Sequence, residues 1–296
     1  MKLITRITQE ICKVRRLLIV IALTLSSSVN AAPPSITIGT SNLNYTENSP
    51  LTQVDPAAIL SDSDGDSDWA GGTLVVQITT NNETSDEISI PDNIVGTINT
   101  SGLDIQNNAT VIGTLSSSEG TVTNGTALTI TFNASATNAL VQQVIQAISY
   151  RNTSDDPSTS NRTMTFTATD KNAETANDTQ TIALTALNDQ PTLSATADNP
   201  TFTEGDSAVS VFSSSSISTI ESGQTLSALT LTVSNVNDGT PLGAEETLFI
   251  DGSAIALTDN NSATTTTNNL AYAVSLSGNN ATLSLTAGSL SEAAMQ

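Results

Sequence analysis

The chain has 296 residues, with 8 basic side chains against 29 acidic ones and a formal net charge of −21. Apolar residues make up 37% of the chain, but charged residues only 12% and aromatic residues 3%. The scarcity of cations excludes nucleic acid as a partner and disfavours anionic membrane surfaces. The lack of histidine and the single cysteine, Cys12, exclude the usual zinc sites, Ser-His arrangements and a disulfide framework.

Residues 1–31 have the pattern of a secretory signal peptide. Its basic residues are Lys2, Arg6, Lys13, Arg15 and Arg16. An apolar run from Leu17 to Leu25 follows, and Val29-Asn30-Ala31 supplies small residues for cleavage after Ala31. A spanning helix is the alternative, but it needs ~20 apolar residues, which this run does not reach. We therefore expect a secreted or cell-surface protein without membrane insertion after cleavage. Residues 32–296 then hold three basic and 28 acidic side chains, which is a net charge of −25.

Short segments of alternating apolar and polar residues follow the leader. Turn residues separate them at intervals of about 8–15 residues, which is typical of an all-β sandwich. The predicted strands of the first half are 35–38, 43–45, 73–79, 87–90, 110–115, 127–132, 163–169 and 179–187.

One segment breaks this alternation. Its apolar residues fall on a single helical face: Leu140, Val141, Val144, Ile145 and Ile148. Thr137 precedes them as a suitable N-cap residue. We predict a helix over 138–148 that covers an open end or edge of the sandwich.

The chain also repeats itself. Tyr45-Thr46-Glu47 recurs as Phe202-Thr203-Glu204, 157 residues later (202 − 45), and Pro34 with Pro191 and Val76 with Val233 share this spacing. Leu128 and Ile130 recur as Leu283 and Leu285 at a spacing of 155 (283 − 128). We predict two tandem units of one fold, each with one short helix: repeat 1 over 32–190 and repeat 2 over 191–296. Repeat 2 is expected to be incomplete, as in a fragment of a longer array.

The densest acidic segment is Asp62-Ser-Asp64-Gly-Asp66-Ser-Asp68. Alternate carboxylates around a glycine favour a hard cation such as calcium, which accepts irregular oxygen coordination. The segment is not an EF-hand, because its sixth residue is Ser67 instead of glycine and its twelfth is Thr73 instead of glutamate. The alternative is a solvated acidic loop.

Several motifs in order resemble a bacterial cadherin-like repeat of large secreted surface proteins. They are Tyr45-Thr46-Glu47-Asn48, Asp62-Ser-Asp64, Ile148-Ser-Tyr-Arg-Asn-Thr-Ser-Asp-Asp-Pro157, Ala168-Thr-Asp170 and Asn188-Asp189-Gln190-Pro191. The resemblance covers nearly all of 34–190 and, more loosely, the second repeat.

This resemblance implies calcium held where neighbouring domains meet. It assigns Glu47, Asp170 and Asp189 as ligands, with Asn188 offering an amide or backbone oxygen. Asp62 and Asp64 match the aspartates that a domain presents to its predecessor, so in the first repeat we expect them to bind calcium, with Asp66, inside their own loop. The matching positions of repeat 2 are Thr219 and Glu221, which makes that side poor in acids.

These features predict an extracellular calcium-binding structural or adhesive module of a larger cell-surface protein. Its expected partners are neighbouring repeats and a cell-surface protein or glycan. The alternative is a glycan- or protein-binding accessory module or spacer attached to a secreted enzyme. For that alternative Trp69 is the one feature that could touch a partner, although a single tryptophan is more often a core anchor. We expect no catalytic activity, because no nucleophile–base pair stands out.

Overall fold

The computed structural model of the protein describes residues 31–237, 239–242 and 245–295. The predicted signal segment before Ala31, with Cys12, lies outside the described residues. The chain divides into two compact units: unit 1 takes the described residues up to 45 together with 49–151 and 160–183, and unit 2 takes 46–48, 152–159 and the residues from 184 onwards. The repeat boundary at residue 190 stays a prediction. Within the described ranges, no helix is both long enough and apolar enough to cross a membrane.

Strands are the main secondary structure in both parts of the chain, which confirms the all-β class. The strands up to residue 185 are β1 (Ser35–Thr37), β2 (Leu43–Thr46), β3 (Thr52–Gln53), β4 (Ile59–Ser61), β5 (Thr73–Thr80), β6 (Asp86–Ser89), β7 (Ile98–Ser101), β8 (Asp104–Asn107), β9 (Thr110–Leu115), β10 (Val122–Thr123), β11 (Leu128–Phe132), β12 (Ser149–Asn152), β13 (Arg162–Thr169) and β14 (Thr175–Thr185). Each strand predicted from the first half corresponds to one of these within a few residues.

The strands up to β14 form an eight-stranded sheet in the order β2-β14-β13-β5-β11-β9-β8-β7, a four-stranded sheet in the order β10-β6-β12-β3, and the pair β1-β4. β5 lies inside the large sheet and pairs antiparallel with both β11 and β13. Its apolar residues Leu74, Val76 and Ile78 are buried, because alternate residues of a strand face the same side. Val75 and Gln77 stand between them and are only partly buried, as expected for a strand with one buried face.

The predicted helix is present as α1 (Asn138–Ala147). The hydroxyl of Thr137 accepts the N–H of Leu140 at 3.2 Å, so Thr137 is the N-cap, as predicted. The side chains of Gln142 and Gln146 bond to backbone groups in and before β4. These bonds attach α1 to β4 and to the residue before it.

The remaining strands all lie in unit 2: β15 (Thr192–Ala197), β16 (Phe212–Ser218), β17 (Leu226–Ser234), β18 (Thr247–Ile250), β19 (Ser253–Ala256), β20 (Ser262–Thr264), β21 (Ala271–Ser277) and β22 (Asn280–Leu290). They form a sheet in the order β17-β22-β21-β20 and the pairs β15-β16 and β18-β19. A cluster that includes Ile255, Leu257, Val274 and Leu283 is the apolar core. A four-residue helix, α2 (Glu292–Met295), stands where the repeat predicts the second helix.

Strand pairing gives a second way to match positions of the two predicted repeats. Val76 pairs with Leu128 in repeat 1, and Leu231 pairs with Leu283 in repeat 2. Both members of the pair are therefore 155 residues apart (231 − 76 and 283 − 128). The matched partner of Val76 is Leu231, two residues before Val233. A shift of two residues keeps the same face of the strand inward, which is why the sequence pattern alone does not resolve it.

Candidate metal centres

Three aspartates from separate segments of unit 1 meet where β13 ends and β5 begins in the large sheet. Asp62 follows β4, Asp68 lies in a 3-10 turn (Asp66–Trp69) before β5, and Asp170 follows β13. β13 runs antiparallel to β5, with Thr169 opposite Thr73, so the end of β13 lies beside the start of β5. This pairing brings Asp170 to the loop that carries the other two aspartates. We call Asp62, Asp68 and Asp170 the unit 1 cluster.

Buried anchors hold this loop in place. Trp69 is fully buried, its indole N–H donates to Oδ1 of Asn138 at 2.8 Å, and its ring meets Phe132 edge-on. A Cβ atom on Gly72 would lie 2.7 Å from the carbonyl oxygen of Thr169, so only glycine permits this approach of the two strands. Trp69 is therefore a core anchor, and it offers no aromatic surface to a ligand.

One carboxylate oxygen from each member of the unit 1 cluster lies within 4.8 Å of those from the other two. The residues are nearly inaccessible, with exposures of 5% for Asp62, 3% for Asp68 and 3% for Asp170. Two ionised carboxylates at such a distance repel each other by roughly 3–4 kcal/mol at an effective dielectric constant of about 20. A bound cation, a neighbouring basic side chain or protonation of one carboxylate would relieve this repulsion.

In two of these carboxylates, only one of the two oxygens accepts a hydrogen bond. Oδ1 of Asp62 accepts the N–H of Asp64 at 2.9 Å, and Oδ1 of Asp170 accepts the N–H groups of Asn172 and Glu174 at 2.7 and 2.9 Å. The other oxygen, Oδ2, is buried in both residues and has no hydrogen-bond partner among the described residues. A buried polar atom without a partner is uncommon and costs free energy unless a ligand satisfies it.

Asp68 differs from its two neighbours because it already has a cationic partner. The ammonium group of Lys171 donates to its Oδ1, and Nδ2 of Asn172 donates to its Oδ2 at 2.8 Å. One lysine charge against three carboxylates leaves the cluster negative. The two oxygens without partners, on Asp62 and Asp170, are therefore the ones that could bind a cation.

The environment raises the pKa of Asp62 above its usual value. Burial is the main cause, since it disfavours the charged form, and the negative charges of Asp68, Asp170 and Asp64 add to it. The hydrogen bond from the Asp64 N–H acts in the opposite direction. A bound cation would reverse this balance by stabilising the carboxylate.

The other predicted ligands in this loop have different partners. Oδ2 of Asp64 accepts the N–H of Ala32 at 2.6 Å, and Oδ1 of Asp66 accepts the N–H of Asn138, the first residue of α1, at 2.8 Å. Asp68 belongs to the cluster although the predicted ligand set omitted it. Alternation in the sequence assumes an extended chain, whereas the 3-10 turn carries Asp66 and Asp68 to different surroundings.

A second acidic group, Glu47, Asp155 and Asp189, lies within unit 2, and we call it the unit 2 cluster. One oxygen from each lies within 4.8 Å of the others. Glu47 is buried, Asp189 is half-buried and Asp155 is exposed. Oε2 of Glu47 accepts the N–H of Leu187 at 2.6 Å, whereas its Oε1 is buried and has no partner among the described residues.

Further polar groups surround the unit 2 cluster. The N–H of Asp189 donates to Oε1 of Glu221, which is 8% exposed and whose Oε2 has no partner among the described residues. Oδ1 of Asn188 accepts from Nε2 of Gln224 at 2.7 Å, so the amide oxygen predicted as a ligand already has a donor. The sequence reasoning missed Asp155, although it lies inside one of the recognised motifs; the acidic pair Asp155-Asp156 before a proline was the available signal.

The predicted ligands thus fall into two groups. The structure places Asp170 with Asp62, and it places Glu47 with Asp189. The resemblance had combined Glu47, Asp170 and Asp189. Asp170 precedes β14 whereas Asp189 follows it, and the length of that strand separates the two positions along the chain.

Both clusters could hold a metal ion, since each combines three carboxylates with at least one buried oxygen that has no hydrogen-bond partner among the described residues. No protein-family model matches the chain, and comparison with curated proteins gives no match.

Proposed function

We propose that this chain is a non-catalytic, calcium-binding structural or adhesive module of a larger extracellular protein. In this proposal its units are cadherin-like β-sandwiches, exported by the leader and displayed at the cell surface. Their partners are neighbouring repeats of the same kind and a cell-surface protein or glycan. The all-β fold, the repeat and the recognised motifs support this proposal.

The observation that carries the proposal is the pair of buried carboxylate oxygens on Asp62 and Asp170. Each belongs to a side chain whose other oxygen is fixed by backbone N–H groups, so the carboxylates are already oriented. Such orientation lowers the conformational entropy lost when a ligand binds. A cation between them would satisfy both oxygens and remove their mutual repulsion.

Calcium fits these donors better than other biological cations. The ligand atoms are all oxygens, and the chain contains no histidine. Calcium takes about six to eight oxygens in irregular geometry, whereas magnesium demands near-octahedral coordination and keeps several waters. Backbone carbonyls and water would complete the shell around the two or three carboxylates of each cluster.

Calcium in the unit 1 cluster would join the loop after β4 to the turn between β13 and β14. An ion that binds only the folded chain stabilises it by mass action, by about 2.7 kcal/mol at a concentration 100 times the Kd. For a chain of this size that corresponds to a rise in melting temperature of roughly 5–10 °C. The function in this proposal is therefore mechanical, with stiff loops at a defined position of the β unit.

Thermal melting of the chain in EDTA and in increasing calcium tests the proposal. We expect a saturable rise in Tm with calcium and a smaller one with magnesium. Asp62→Asn places an amide where its N–H₂ can donate to Asp170, so this variant should melt at the same or a higher temperature in EDTA and lose most of the calcium-dependent rise. Asp206→Asn removes the same charge from an exposed turn and should keep that rise. An unchanged melting temperature of the parent chain on chelation would refute the calcium site.

A further inference from the structure

The four-stranded sheet of unit 2 has a free edge at β17. β17 pairs antiparallel with β22 along one side, and no strand of the described ranges pairs with its other side. The matched strand of repeat 1, β5, pairs on both sides, with β11 and with β13. β17 therefore presents a row of backbone N–H and C=O groups at a position that a strand fills in repeat 1.

The side chains of β17 are also less covered than those of β5. The apolar residues of β5 are 0% exposed at Leu74, 0% at Val76 and 4% at Ile78. Their matched residues in β17 are Leu229, Leu231 and Val233, and all three are only partly buried. In unit 1 the apolar residues of β13 lie opposite those of β5, in the pairs Ala168 with Leu74, Phe166 with Val76 and Met164 with Ile78. Among the described residues, no strand beside β17 supplies the covering residues that β13 supplies to β5.

A second position, Phe202, indicates that unit 2 also lacks a described strand equivalent to β14. Tyr45 is 1% exposed, because its strand β2 pairs with β14 and its ring contacts Tyr150 edge-on at 5.1 Å. The matched residue Phe202 lies outside any strand and is 57% exposed. Its environment lacks what β14 and Tyr150 supply to Tyr45. Both β17 and Phe202 are therefore uncovered at positions where, in unit 1, the β13–β14 hairpin packs, and no hairpin of the described residues takes that place.

We propose that the β17 edge binds an extended β-hairpin of the β13–β14 type, donated by polypeptide outside the described residues. The hairpin adds its first strand antiparallel to β17, with apolar residues at alternate positions and threonine or another β-former between them. Main-chain hydrogen bonds then supply affinity, and the alternating side chains that cover Leu229, Leu231 and Val233 supply specificity. The chain's own β13 and β14 are already paired within unit 1, so they are not the donor.

The donor's second strand would lie where Phe202 can pack on it, as Tyr45 does beside β14. This inference is independent of calcium, since β17 and Phe202 contribute no ligand to either acidic cluster. It makes the second unit a receptor for a strand, in addition to its proposed role as a spacer.

A synthetic peptide with the sequence of residues 160–186, which contains the β13–β14 hairpin, is the probe. Two peptide variants are matched to it: Met164→Ser with Phe166→Ser removes the apolar face, and Thr165→Ser with Thr167→Ser changes the opposite face. The full chain is titrated with each labelled peptide in fluorescence anisotropy, in EDTA and in calcium. We expect saturable one-to-one binding of the parent and threonine-substituted peptides, and binding of the apolar-face variant weakened at least tenfold.

Amide hydrogen exchange locates the bound peptide. We expect residues 226–234 to gain protection when the parent peptide is bound, with no gain in β18. Equal binding of all three peptides, no binding of any, or protection confined to other strands would each overturn the proposal. So would concentration-dependent self-association of the chain that protects β17 without peptide, because a second copy would then be the occupant.

Discussion

Asp66 and Asp68 are two positions apart in the sequence, yet their carboxylates have different partners. Asp66 accepts the N–H that begins α1, where the positive end of the helix favours a negative charge. Asp68 is buried beside Asp62 and Asp170 and is compensated by Lys171. The neighbouring Trp69 explains the difference, since its burial in the core draws Asp68 inward with it. At the residue scale, an apolar anchor thus decides which acid becomes a candidate ligand.

Asp251 shows how a partly buried acid can stabilise a loop through hydrogen bonds alone. Its carboxylate accepts from the hydroxyl of Thr265 and from the N–H and Nδ2 of Asn268. The hydrogen bond from Thr265 is the main cause that lowers the pKa of Asp251 below its usual value, and the bonds from Asn268 add to it. A carboxylate whose pKa is lowered by folding contributes stability above its unfolded pKa, and this contribution disappears as the pH falls through the folded pKa.

We therefore expect Asp251→Asn to lower the melting temperature at about pH 7, and we expect this effect to shrink as the pH falls and the parent carboxyl takes up its proton. The measurement is the difference in Tm between variant and parent over a series of decreasing pH values, with Asp206→Asn as a charge-matched control. A difference that stays constant with pH would show that the hydrogen bonds do not depend on the charge of Asp251.

At the scale of elements, both helices hold the loop that follows an early strand. In unit 1, Oδ1 of Asn138 accepts the N–H of Asp62 at 3.0 Å and its Nδ2 donates to the Asp62 carbonyl at 3.0 Å. In unit 2, Oε1 of Glu292 accepts the N–H of Thr219 at 2.6 Å. Thr219 is the residue matched to Asp62. In both units the first residue of a helix therefore bonds to this loop, and only in unit 1 does the bonded position carry an acid.

This connection predicts an order of costs for two adjacent substitutions. Asn138→Ala removes the acceptor of the buried Trp69 indole and both bonds to Asp62, so it should cost about 2–4 kcal/mol, since each buried group left without a partner costs about 1–3 kcal/mol. Thr137→Ala removes only the cap of α1 and should cost about 1 kcal/mol. Urea unfolding of the two variants in EDTA measures both. An equal or larger cost for Thr137→Ala would show that the Asn138 bonds add little.

Local patterns predicted α1 and the long strands because the hydrophobic periodicity of each of these elements is visible within one short segment. Five apolar residues on one helical face identified α1, and clean alternation identified β13 and β14. β7 and β8 escaped prediction, because each buries mainly one isoleucine, Ile98 or Ile105, amid polar residues. Their strand form depends on pairing with β9 and with each other, which no short pattern records.

The sequence predicted the acidic segments that form the candidate sites, but it did not predict which acidic residues come together in each cluster. Asp62 meets Asp170 only because β13 pairs with β5 in one register, and that pairing spans about a hundred residues. Glu47 meets Asp155 because loops distant in sequence converge in unit 2. Tertiary contacts of this kind are set by the packing of whole sheets. Residue types and spacing within one loop therefore predict the chemistry of the donors, whereas the fold selects the donors that act together.

At the scale of the whole molecule, the dominant property is excess negative charge. The chain carries −21, and residues 32–296 carry −25 with only Arg151, Arg162 and Lys171 as cations. All three are paired with acids: Arg151 with Glu87, Arg162 with Glu83 and Asp86, and Lys171 with Asp68. Self-repulsion of this size destabilises the compact state, and dissolved cations reduce it. Part of any calcium effect would therefore be general screening.

Screening and site binding can be separated because they depend on different concentrations. Screening is set by the Debye length, about 10 Å at 0.1 M salt and about 3 Å at 1 M, whereas a site saturates near its Kd. In EDTA we expect the melting temperature to rise gradually with sodium chloride up to about 0.5 M, as the repulsion between exposed carboxylates falls. At a fixed ionic strength of that size, millimolar calcium should raise it further, and Asp62→Asn should lose most of this additional rise. If the calcium effect vanished once sodium chloride had screened the surface, calcium would be acting as a diffuse counterion and neither acidic cluster would be a specific site.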